Sequence, residues 1–302
     1  MVTISLRPRH LRKWLKARWF ALRASFVRLF LSYGRVELLQ ALREIGVREG
    51  DAVMLHSAFA PHHGFRGSIE ELTDTFIDAV GPNGHLLMVS LPYRSSSLQY
   101  LEKLRQFDVR RTPSMMGLVS EFFRRRPEVL RSLHPTHPVL VRGPRAESFI
   151  EGHEHCIHPC GPGTPFERLA EADGMVAFLN VEFGTFTFFH HLEHLVSAQL
   201  PFPLYTANCF EVSVIDRDGR PGTVRTHVYS PEAIQRRRFP VLERALRARG
   251  AIRSVRVGNT QIEAIRVRDA IACVSEMSRR GEFFYDLSGV VQAPRNHSIE
   301  GA

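Results

Sequence analysis

The sequence predicts an α/β fold in which a mixed β-sheet is covered by helices and preceded by a basic amphipathic helix. An apolar run at 51–57 ends in the polar pair His56-Ser57 and leads into a glycine-containing loop. A helical pattern at 69–80, a Gly-Pro-Asn-Gly turn and a second apolar run at 85–90 follow. Strand, loop, helix, turn and strand in this order form the repeating unit of α/β proteins.

Charge distribution limits the function classes. Residues 1–36 carry nine Lys or Arg and no acid, while the rest of the chain carries 31 basic and 31 acidic residues, from totals of 40 and 31. The net charge of +9 therefore belongs to the N-terminal segment. A neutral remainder argues against a DNA-binding groove, so no nucleic-acid partner is expected.

The N-terminal segment has a helical pattern of apolar residues among arginines and lysines. The apolar residues recur every three to four positions: Leu11, Leu15, Trp19, Leu22, Phe26 and Phe30. The pattern predicts a basic amphipathic helix. We interpret it as a helix on an anionic membrane surface, with Trp14 and Trp19 at the headgroups. The alternative is a helix that covers the rest of the chain or a partner subunit.

The later elements alternate between helices and strands. A helix is predicted at 35–45, and Ser68 is expected to cap the helix Ile69–Val80 with Glu71 as its capping-box partner. The remaining elements are a helix at Met116–Arg126, strands at Val139–Val141 and Met175–Val181, a helix at Thr187–Leu200, a strand at Cys209–Asp216 and a helix at Pro240–Arg249. The chain divides into a basic helix (1–34), one domain (35–280) and a peripheral tail (281–302).

Cysteine usage and the apolar runs indicate the compartment. The four cysteines are too few for a disulfide scaffold: Cys156, Cys160, Cys209 and Cys273. Arg and Lys interrupt the N-terminal apolar residues, which argues against a secretory signal, and no apolar run reaches transmembrane length. We expect a cytoplasmic protein, peripheral at the inner membrane face if the N-terminal helix binds lipid. The oligomeric state stays open.

A series of short motifs runs in order from about Leu38 to about Ser275. They are His56-Ser57 with the glycine loop, Gly81–Met88, Phe107-Asp108, Thr112–Gly117, Arg131–His137, Cys160–Phe166, Thr187-x-x-His190-x-x-Glu193, Leu246–Gly250 and Arg256–Asn259. Together these motifs resemble the aminoglycoside 3-N-acetyltransferase family. The resemblance implies an α/β fold distinct from the common small acetyltransferase fold, with acetyl-CoA as the acetyl donor.

Acetyl transfer from a thioester to an amine needs a base, a stabilised oxyanion and aligned substrates. His190 lies on a predicted helix, and Glu193 three residues later shares its face, so the carboxylate can orient the imidazole. We expect His190 to take the amine proton, with Glu193 behind it, in a direct transfer. The alternative is a packed histidine beside a solvated carboxylate.

The other site residues are expected from the resemblance and from their positions. His56 would lie beside the thioester, and His134, held in extended backbone by Pro135, is a further catalytic candidate; either could be structural. Contacts to CoA are expected from His56, Ser57, Arg66, Gly67, Ser68 and Ser114. For the loop, the alternative is a tight turn with a helix cap. Asp108 and Thr187 are expected to bind the amine substrate, although Asp108 could equally cap a turn.

Two departures from the family concern the acceptor. Only 16 residues, 91–106, precede Phe107 after the second strand, where resistance enzymes of the family carry a longer, Trp- and acid-rich insertion. Three phenylalanines surround the Thr-His-Glu motif: Phe186, Phe188 and Phe189. Because acidic surfaces suit polycationic aminoglycosides, we expect the primary amine of another amino sugar, such as a nucleotide- or lipid-linked intermediate of surface polysaccharide. An aminoglycoside, with antibiotic resistance, is the alternative.

Three hypotheses come from other classes. The run His190-His191-Leu192-Glu193-His194 spells H-x-x-E-H, the inverted zinc-peptidase motif, and would make the protein a zinc hydrolase. The segment 153–160, with three histidines and two cysteines, also has metal-binding spacing. The third is a non-catalytic scaffold on the same fold. The order of the other motifs favours the transferase, for which no metal is expected.

Overall fold

A computed structural model describes residues 18–19 and 22–289. Its elements, in chain order, are α1 (Arg35–Glu44), β1 (Ala52–Ser57), α2 (Ile69–Val80), β2 (His85–Val89), α3 (Ser97–Leu101), β3 (Phe107–Asp108), α4 (Leu118–Arg124), β4 (Leu130–Arg131), β5 (Val139–Arg142), α5 (Glu147–Ile150), α6 (Pro165–Glu171), β6 (Met175–Leu179), α7 (Phe189–Val196), β7 (Phe210–Ile215), β8 (Pro221–Thr226), α8 (Pro231–Arg236), α9 (Phe239–Ala248), β9 (Ile252–Val257), β10 (Thr260–Arg266) and α10 (Val267–Arg279). Residues 22–30 are also helical.

A mixed sheet of seven strands forms the centre of the fold, in the order β4-β5-β2-β1-β6-β10-β9. Strand β1 pairs in parallel with β2 and β6, whereas β5 and β10 pair antiparallel to these neighbours. A smaller sheet has the order β3-β7-β8. The predicted mixed sheet covered by helices is therefore confirmed.

Helices cover both faces of the large sheet. Since successive side chains of a strand point to opposite faces, Val53 and Leu55 pack with α1, α2 and α4, while Met54 joins the core formed with α6, α7, α9 and α10. All five residues of β6 are buried. Strands buried on both faces appear in the sequence as continuous apolar runs.

The parallel strands place their carboxyl ends at one edge of the sheet. Strand β2 ends at Val89, β1 at Ser57 and β6 at Leu179, and β1 lies between the other two. Ligands of α/β proteins commonly bind outside such strand ends. The loops that leave this edge lead to α2 on one side and to α7 on the other, so both predicted site regions start here.

The predicted helices agree in position and differ at their ends. The Ser68 hydroxyl accepts from the Glu71 N–H at 3.1 Å, and the Glu71 carboxylate accepts from the Ser68 N–H at 2.7 Å, which confirms the predicted capping box. Helix α7 covers Phe189–Val196 rather than the predicted Thr187–Leu200. Its last turn tightens into a 3₁₀ turn at Ser197–Gln199, just before a proline.

The two ends of the described chain differ in burial. Val27 is 2% exposed and lies beside Gly64, but the described members of the predicted stripe are exposed: Trp19, Leu22, Phe26 and Phe30. Three other N-terminal apolar positions lie outside the described residues: Leu11, Trp14 and Leu15. In the segment expected to be peripheral, Phe284 and Tyr285 are buried, while 290–302 lie outside the described residues. Among the described residues, no helix has the length and apolar character of a membrane span.

The bidentate pair between Arg266 and Asp51 joins the end of β10 to the start of β1, with both bonds at 2.8 Å. Arg266→Met is expected to lower the free energy of unfolding by about 2 kcal/mol, because a largely buried carboxylate loses its charged donor. Urea denaturation measures the change. The control, Arg268→Met, removes an exposed pair with Asp173 and should cost less than about 0.5 kcal/mol. Equal losses in both variants would contradict the assignment.

Candidate active site

A cavity of about 280 Å³ opens where the parallel strands end. Strands β1 and β2, the loop after β6 and the start of α7 all contribute to its walls. Four of the residues predicted from sequence line it together: His56, Ser57, Thr187 and His190. The cavity therefore brings the residues of β1 that are expected to contact acetyl-CoA next to the expected base on α7.

His190 is held by contacts on several sides. Its Nδ1 lies 2.7 Å from the Glu193 carboxylate, one turn further along α7. Its ring stacks on Tyr229 at 4.7 Å between centroids and meets the edge of His137 at 5.5 Å. A carboxylate at Nδ1 places the ring proton there, which leaves the Nε2 lone pair for a group in the cavity.

Glu193 is completely buried and has three charged or polar partners. Arg237 donates two bonds to its carboxylate, at 2.6 and 2.9 Å, and the Tyr285 hydroxyl donates a third. Burial alone would raise the pKa of Glu193, but the charge of Arg237 and the bond from His190 outweigh it and lower that pKa. Glu193 is thus an anion inside the protein.

The protonation state of His190 follows from the same cluster. Burial and the positive charge of Arg237 lower the pKa of His190 below 6.5, although the bond to Glu193 works in the opposite direction. A lowered pKa keeps the imidazole neutral at neutral pH. A neutral imidazole can accept a proton, which is the state a general base needs.

His56 ends β1 at the wall of the same cavity. It stacks on Phe178 at 5.6 Å, and burial lowers its pKa to about 4, so the ring is neutral. Its Nε2 is buried and has no hydrogen-bond partner among the described residues. Such an orphaned polar atom at a cavity wall is suited to a bound ligand.

His134 lies behind the cavity wall rather than on it. Its Nδ1 accepts from the N–H groups of Thr136 and His137, and its ring stacks on His153 at 4.5 Å. The His137 that donates to it contacts the His190 ring in turn. The structure does not bring His134 to the other predicted catalytic residues.

The remaining predicted residues lie around the cavity. Ser114 is one hydrogen bond, 2.8 Å, from Ser120, which lines the cavity. Arg66 is exposed and forms a long ion pair of 3.5 Å with Glu37, while Gly67 and Ser68 begin α2. Arg66, Gly67 and Ser68 do not line the cavity.

Asp108 lies further away, on β3. Its carboxylate accepts from the backbone N–H groups of Arg110 and Arg111, both at 2.9 Å. These bonds cap a turn of the small sheet, which is the alternative that the sequence left open. Like Arg66, Asp108 is not on the cavity wall.

The side chains of the two metal-like motifs have other partners. His190 and Glu193 bond to each other and Glu193 to Arg237, whereas His194 bonds to Tyr205 at 2.9 Å. In the second motif, both ring nitrogens of His153 are engaged. Over the described part of the chain, no three His, Cys, Asp or Glu side chains gather as metal ligands. The zinc-hydrolase hypothesis gains no support.

Sequence reasoning missed three residues that shape the site: Tyr229, Arg237 and Tyr285. Arg237 and Tyr285 reach Glu193 across 44 and 92 positions, so no local spacing reveals them. Arg237 also stands among three consecutive arginines at 236–238 that look alike in sequence. Only the fold distinguishes it from its neighbours.

Arg237→Met is expected to lower the free energy of unfolding by about 3 kcal/mol, because a buried carboxylate loses its bidentate partner. Chemical denaturation measures this loss. Arg238→Met is the matched control, since Arg238 pairs with Asp286 at an exposed position and should contribute less than about 1 kcal/mol. A similar loss in both variants would show that Glu193 does not depend on Arg237.

Comparison with known proteins gives the family. The family model for aminoglycoside 3-N-acetyltransferases matches residues 54–279. Aminoglycoside N(3)-acetyltransferase III of Salmonella sp is 28% identical over 197 residues, which are 61% of this chain and 67% of that protein. Aminoglycoside N(3)-acetyltransferase IV of Salmonella sp is 29% identical over 240 residues, 79% of this chain and 84% of that protein.

Solved structures show the same fold. A gentamicin complex of aminoglycoside acetyltransferase AAC(3)-IVa has a TM-score of 0.66 at 26% identity, covering 83% of this chain and 90% of that chain. The binary complex of AAC-IIIb with CoASH has a TM-score of 0.67 at 23% identity, covering 82% and 97%. The family assigns an acyltransferase with acetyl-CoA as co-substrate. The chain belongs to the aminoglycoside 3-N-acetyltransferase family.

Proposed function

We propose that this protein transfers the acetyl group of acetyl-CoA directly to the primary amine of an amino sugar, with His190 as general base. One observation carries the proposal: the His190–Glu193 pair opens on a cavity that His56 and Ser57 also line. A base and the expected donor-side residues thus share one space, which is what a direct transfer between two bound substrates requires.

The proposed step balances as follows. The neutral amine attacks the thioester carbonyl carbon, and as the C–N bond forms one N–H proton passes to Nε2 of His190. The resulting imidazolium is stabilised by the Glu193 carboxylate at Nδ1. The tetrahedral oxyanion then collapses, the C–S bond breaks, and the CoA thiolate leaves and takes up the proton. His190 returns to its neutral form.

We propose that CoA lies along β1 and the start of α2. Ser57 on the cavity wall and the exposed guanidinium of Arg66 support this placement, since the 3.5 Å pair with Glu37 leaves Arg66 available to phosphate. The N-terminus of α2, with Gly67 and Ser68, adds a favourable dipole. Ser114 would join through Ser120.

On the acceptor side we propose Thr187, which lines the cavity one helical turn before His190. Asp108 stays a proposal for the acceptor, and His134 stays one for catalysis. Neither residue lines the cavity: Asp108 accepts from the N–H groups of its own turn, and His134 accepts from the N–H of His137. The expected bounds of the catalytic unit, 35–280, are extended in this proposal to Tyr285, which donates to Glu193, and residues 1–34 form a separate arm.

An aminoglycoside is the second candidate acceptor, and one observation favours it. A cavity of about 550 Å³ adjoins the catalytic one and shares Val181, Gly184 and Phe239 with it. Three carboxylates line it: Glu182, Glu243 and Glu263. This acidic cavity could receive the ammonium groups of a polycation. Expression in a sensitive host would test it, because raised aminoglycoside resistance would favour this acceptor over other amino sugars.

His190→Ala is expected to lower kcat by roughly 10²- to 10⁴-fold, the usual contribution of a general base. Release of CoA thiol from acetyl-CoA with a panel of amino sugars measures turnover, and calorimetry measures acetyl-CoA binding. Binding should change less than about twofold, because no step of donor binding needs the base.

His194→Ala is the matched control on the same helix. It removes a histidine that bonds to Tyr205 and is expected to leave kcat nearly unchanged. Turnover in His190→Ala close to that of the wild type would refute the assignment of the base. Equal loss of turnover in both histidine variants, with metal bound to the wild type, would point to the zinc hydrolase.

We also propose that the N-terminal helix binds an anionic membrane surface. Leu22, Phe26 and Phe30 are exposed by 67%, 55% and 70%, while Val27 on another face attaches the helix to the fold. Three arginines flank these side chains: Arg18, Arg23 and Arg28. An apolar face bordered by cations complements lipid tails and anionic headgroups. The absence of any acid in residues 1–36 argues against a basic partner surface.

The full-length protein is expected to sediment with vesicles that contain phosphatidylglycerol and to stay in solution with phosphatidylcholine vesicles. Leu22→Glu/Phe26→Glu should abolish sedimentation, because two carboxylates would enter the apolar face. The control Leu118→Glu changes a similarly exposed leucine on α4 and should bind as the wild type does. Lipid binding retained in the double variant would refute the proposal. So would a dimer that the double variant disrupts without any lipid binding.

A further inference from the structure

A third cavity, of about 500 Å³, lies beside the catalytic one and has a basic wall. It is formed by the short segment 91–106 and by Met115. Arg94, Lys103 and Arg105 line it, and no acidic residue does. Glu102 is the single acidic residue of segment 91–106, and it does not line this cavity. We call this space the basic cavity.

The charges of the basic cavity are not compensated within the part of the chain that the structure describes. Within the described residues, none of Arg94, Lys103 and Arg105 forms a side-chain hydrogen bond or an ion pair. The acidic cavity differs, because Arg247 pairs with both Glu243 and Glu263 there. The larger uncompensated charge beside the active site is therefore positive.

The basic cavity shares a wall with the catalytic cavity. Leu91 and Met116 line the catalytic cavity, whereas their chain neighbours Pro92 and Met115 line the basic one. A hydrogen bond of 2.8 Å from the Met115 N–H to the Leu91 carbonyl joins the two segments. The two cavities therefore lie on either side of the same two chain segments and are immediate neighbours.

A series of contacting aromatic rings runs from the basic cavity to His190. Tyr93 in the basic cavity meets the edge of His137 at 6.4 Å, and His137 meets His190 at 5.5 Å. Tyr93 and Tyr100 lie 5.1 Å apart, and the buried Tyr100 hydroxyl has no hydrogen-bond partner in the described chain. Two tyrosine rings offer a surface for a sugar or a base.

We propose that the basic cavity binds a phosphate group of the acceptor amino sugar, while the amine of the same molecule faces His190. The proposal rests on the proposed acetyl transfer. In that proposal the phosphates of CoA contact other groups, namely Arg66 and the N-terminus of α2. A polycationic acceptor would meet three like charges in the basic cavity, which disfavours it.

The test compares glucosamine with glucosamine 1-phosphate. The wild type is expected to bind and acetylate the phosphorylated sugar with a KM at least about tenfold lower, because three cations meet one anion. Arg94→Ala/Lys103→Ala/Arg105→Ala should remove this preference. Its KM for acetyl-CoA and for glucosamine should stay as in the wild type. UDP-glucosamine and a prenyl-phosphate-linked glucosamine then identify which phosphate ester is preferred.

The matched control is Arg217→Ala/Arg244→Ala/Arg256→Ala, which removes three exposed arginines elsewhere and should keep the preference. Three results would overturn the proposal: no preference for phosphate in the wild type, an equal loss in both triple variants, or a raised KM for acetyl-CoA in the first. If the wild type acetylates no amine, the proposed transfer fails. In that case calorimetry tests the basic cavity separately. Tighter binding of glucosamine 1-phosphate than of glucosamine would support the phosphate site, and equal binding of the two sugars would overturn it.

Discussion

The buried carboxylate of Glu193 is the constraint on which the active site depends. A charge that is removed from water must be compensated, or its burial costs several kcal/mol. Here the compensation comes from Arg237, between α8 and α9, and from Tyr285, after α10. Backbone hydrogen bonds from Arg238 to Phe284 and from Asp286 to Arg236 hold these two segments side by side. Three distant parts of the chain must therefore meet before His190 acquires its orienting partner.

Arg237 and Glu193 have opposite effects on His190, and the balance sets its chemistry. Glu193 alone would favour the imidazolium, whereas burial and Arg237 favour the neutral ring, which is the outcome. During transfer the proton arrives at a ring whose Nδ1 already faces an anion. The cost of charging His190 inside the protein is thus reduced by a group that is in place before the reaction. Tyr229 contributes to the same arrangement, because it stacks on His190 and lies under the Arg237 guanidinium at 4.7 Å.

Local patterns in the sequence are enough to predict the unit formed by β1, α2 and β2 and the His190–Glu193 pair. The capping box of α2 and the i, i+3 spacing on α7 are short-range features, and both are present. Strands β8 and β9 are not predicted, because their short runs carry charged residues on exposed positions. Strand β10 and helix α10 are not predicted either, although β10 is mostly buried and α10 has 13 residues with an amphipathic pattern. The prediction of a peripheral tail misses Tyr285 for a related reason. A single aromatic residue in an extended segment has no periodicity, and only the tertiary fold shows that it contacts Glu193.

The charges around the active site suggest how acceptor choice can vary while the chemistry stays the same. The cavity at His190 is walled mainly by apolar residues such as Leu55, Met88 and Phe239, so it distinguishes charged acceptors poorly. The neighbouring cavities, which segments 91–106 and 182–184 help to form, therefore distinguish acceptors by their charge. The charged side chains of these segments that line the cavities are exposed and carry little packing energy, so their charges can be exchanged. Replacement of charged residues in these two segments changes how well the cavities match the charge of an acceptor. It does not disturb Glu193, Arg237 or His190, since none of these three residues belongs to either segment.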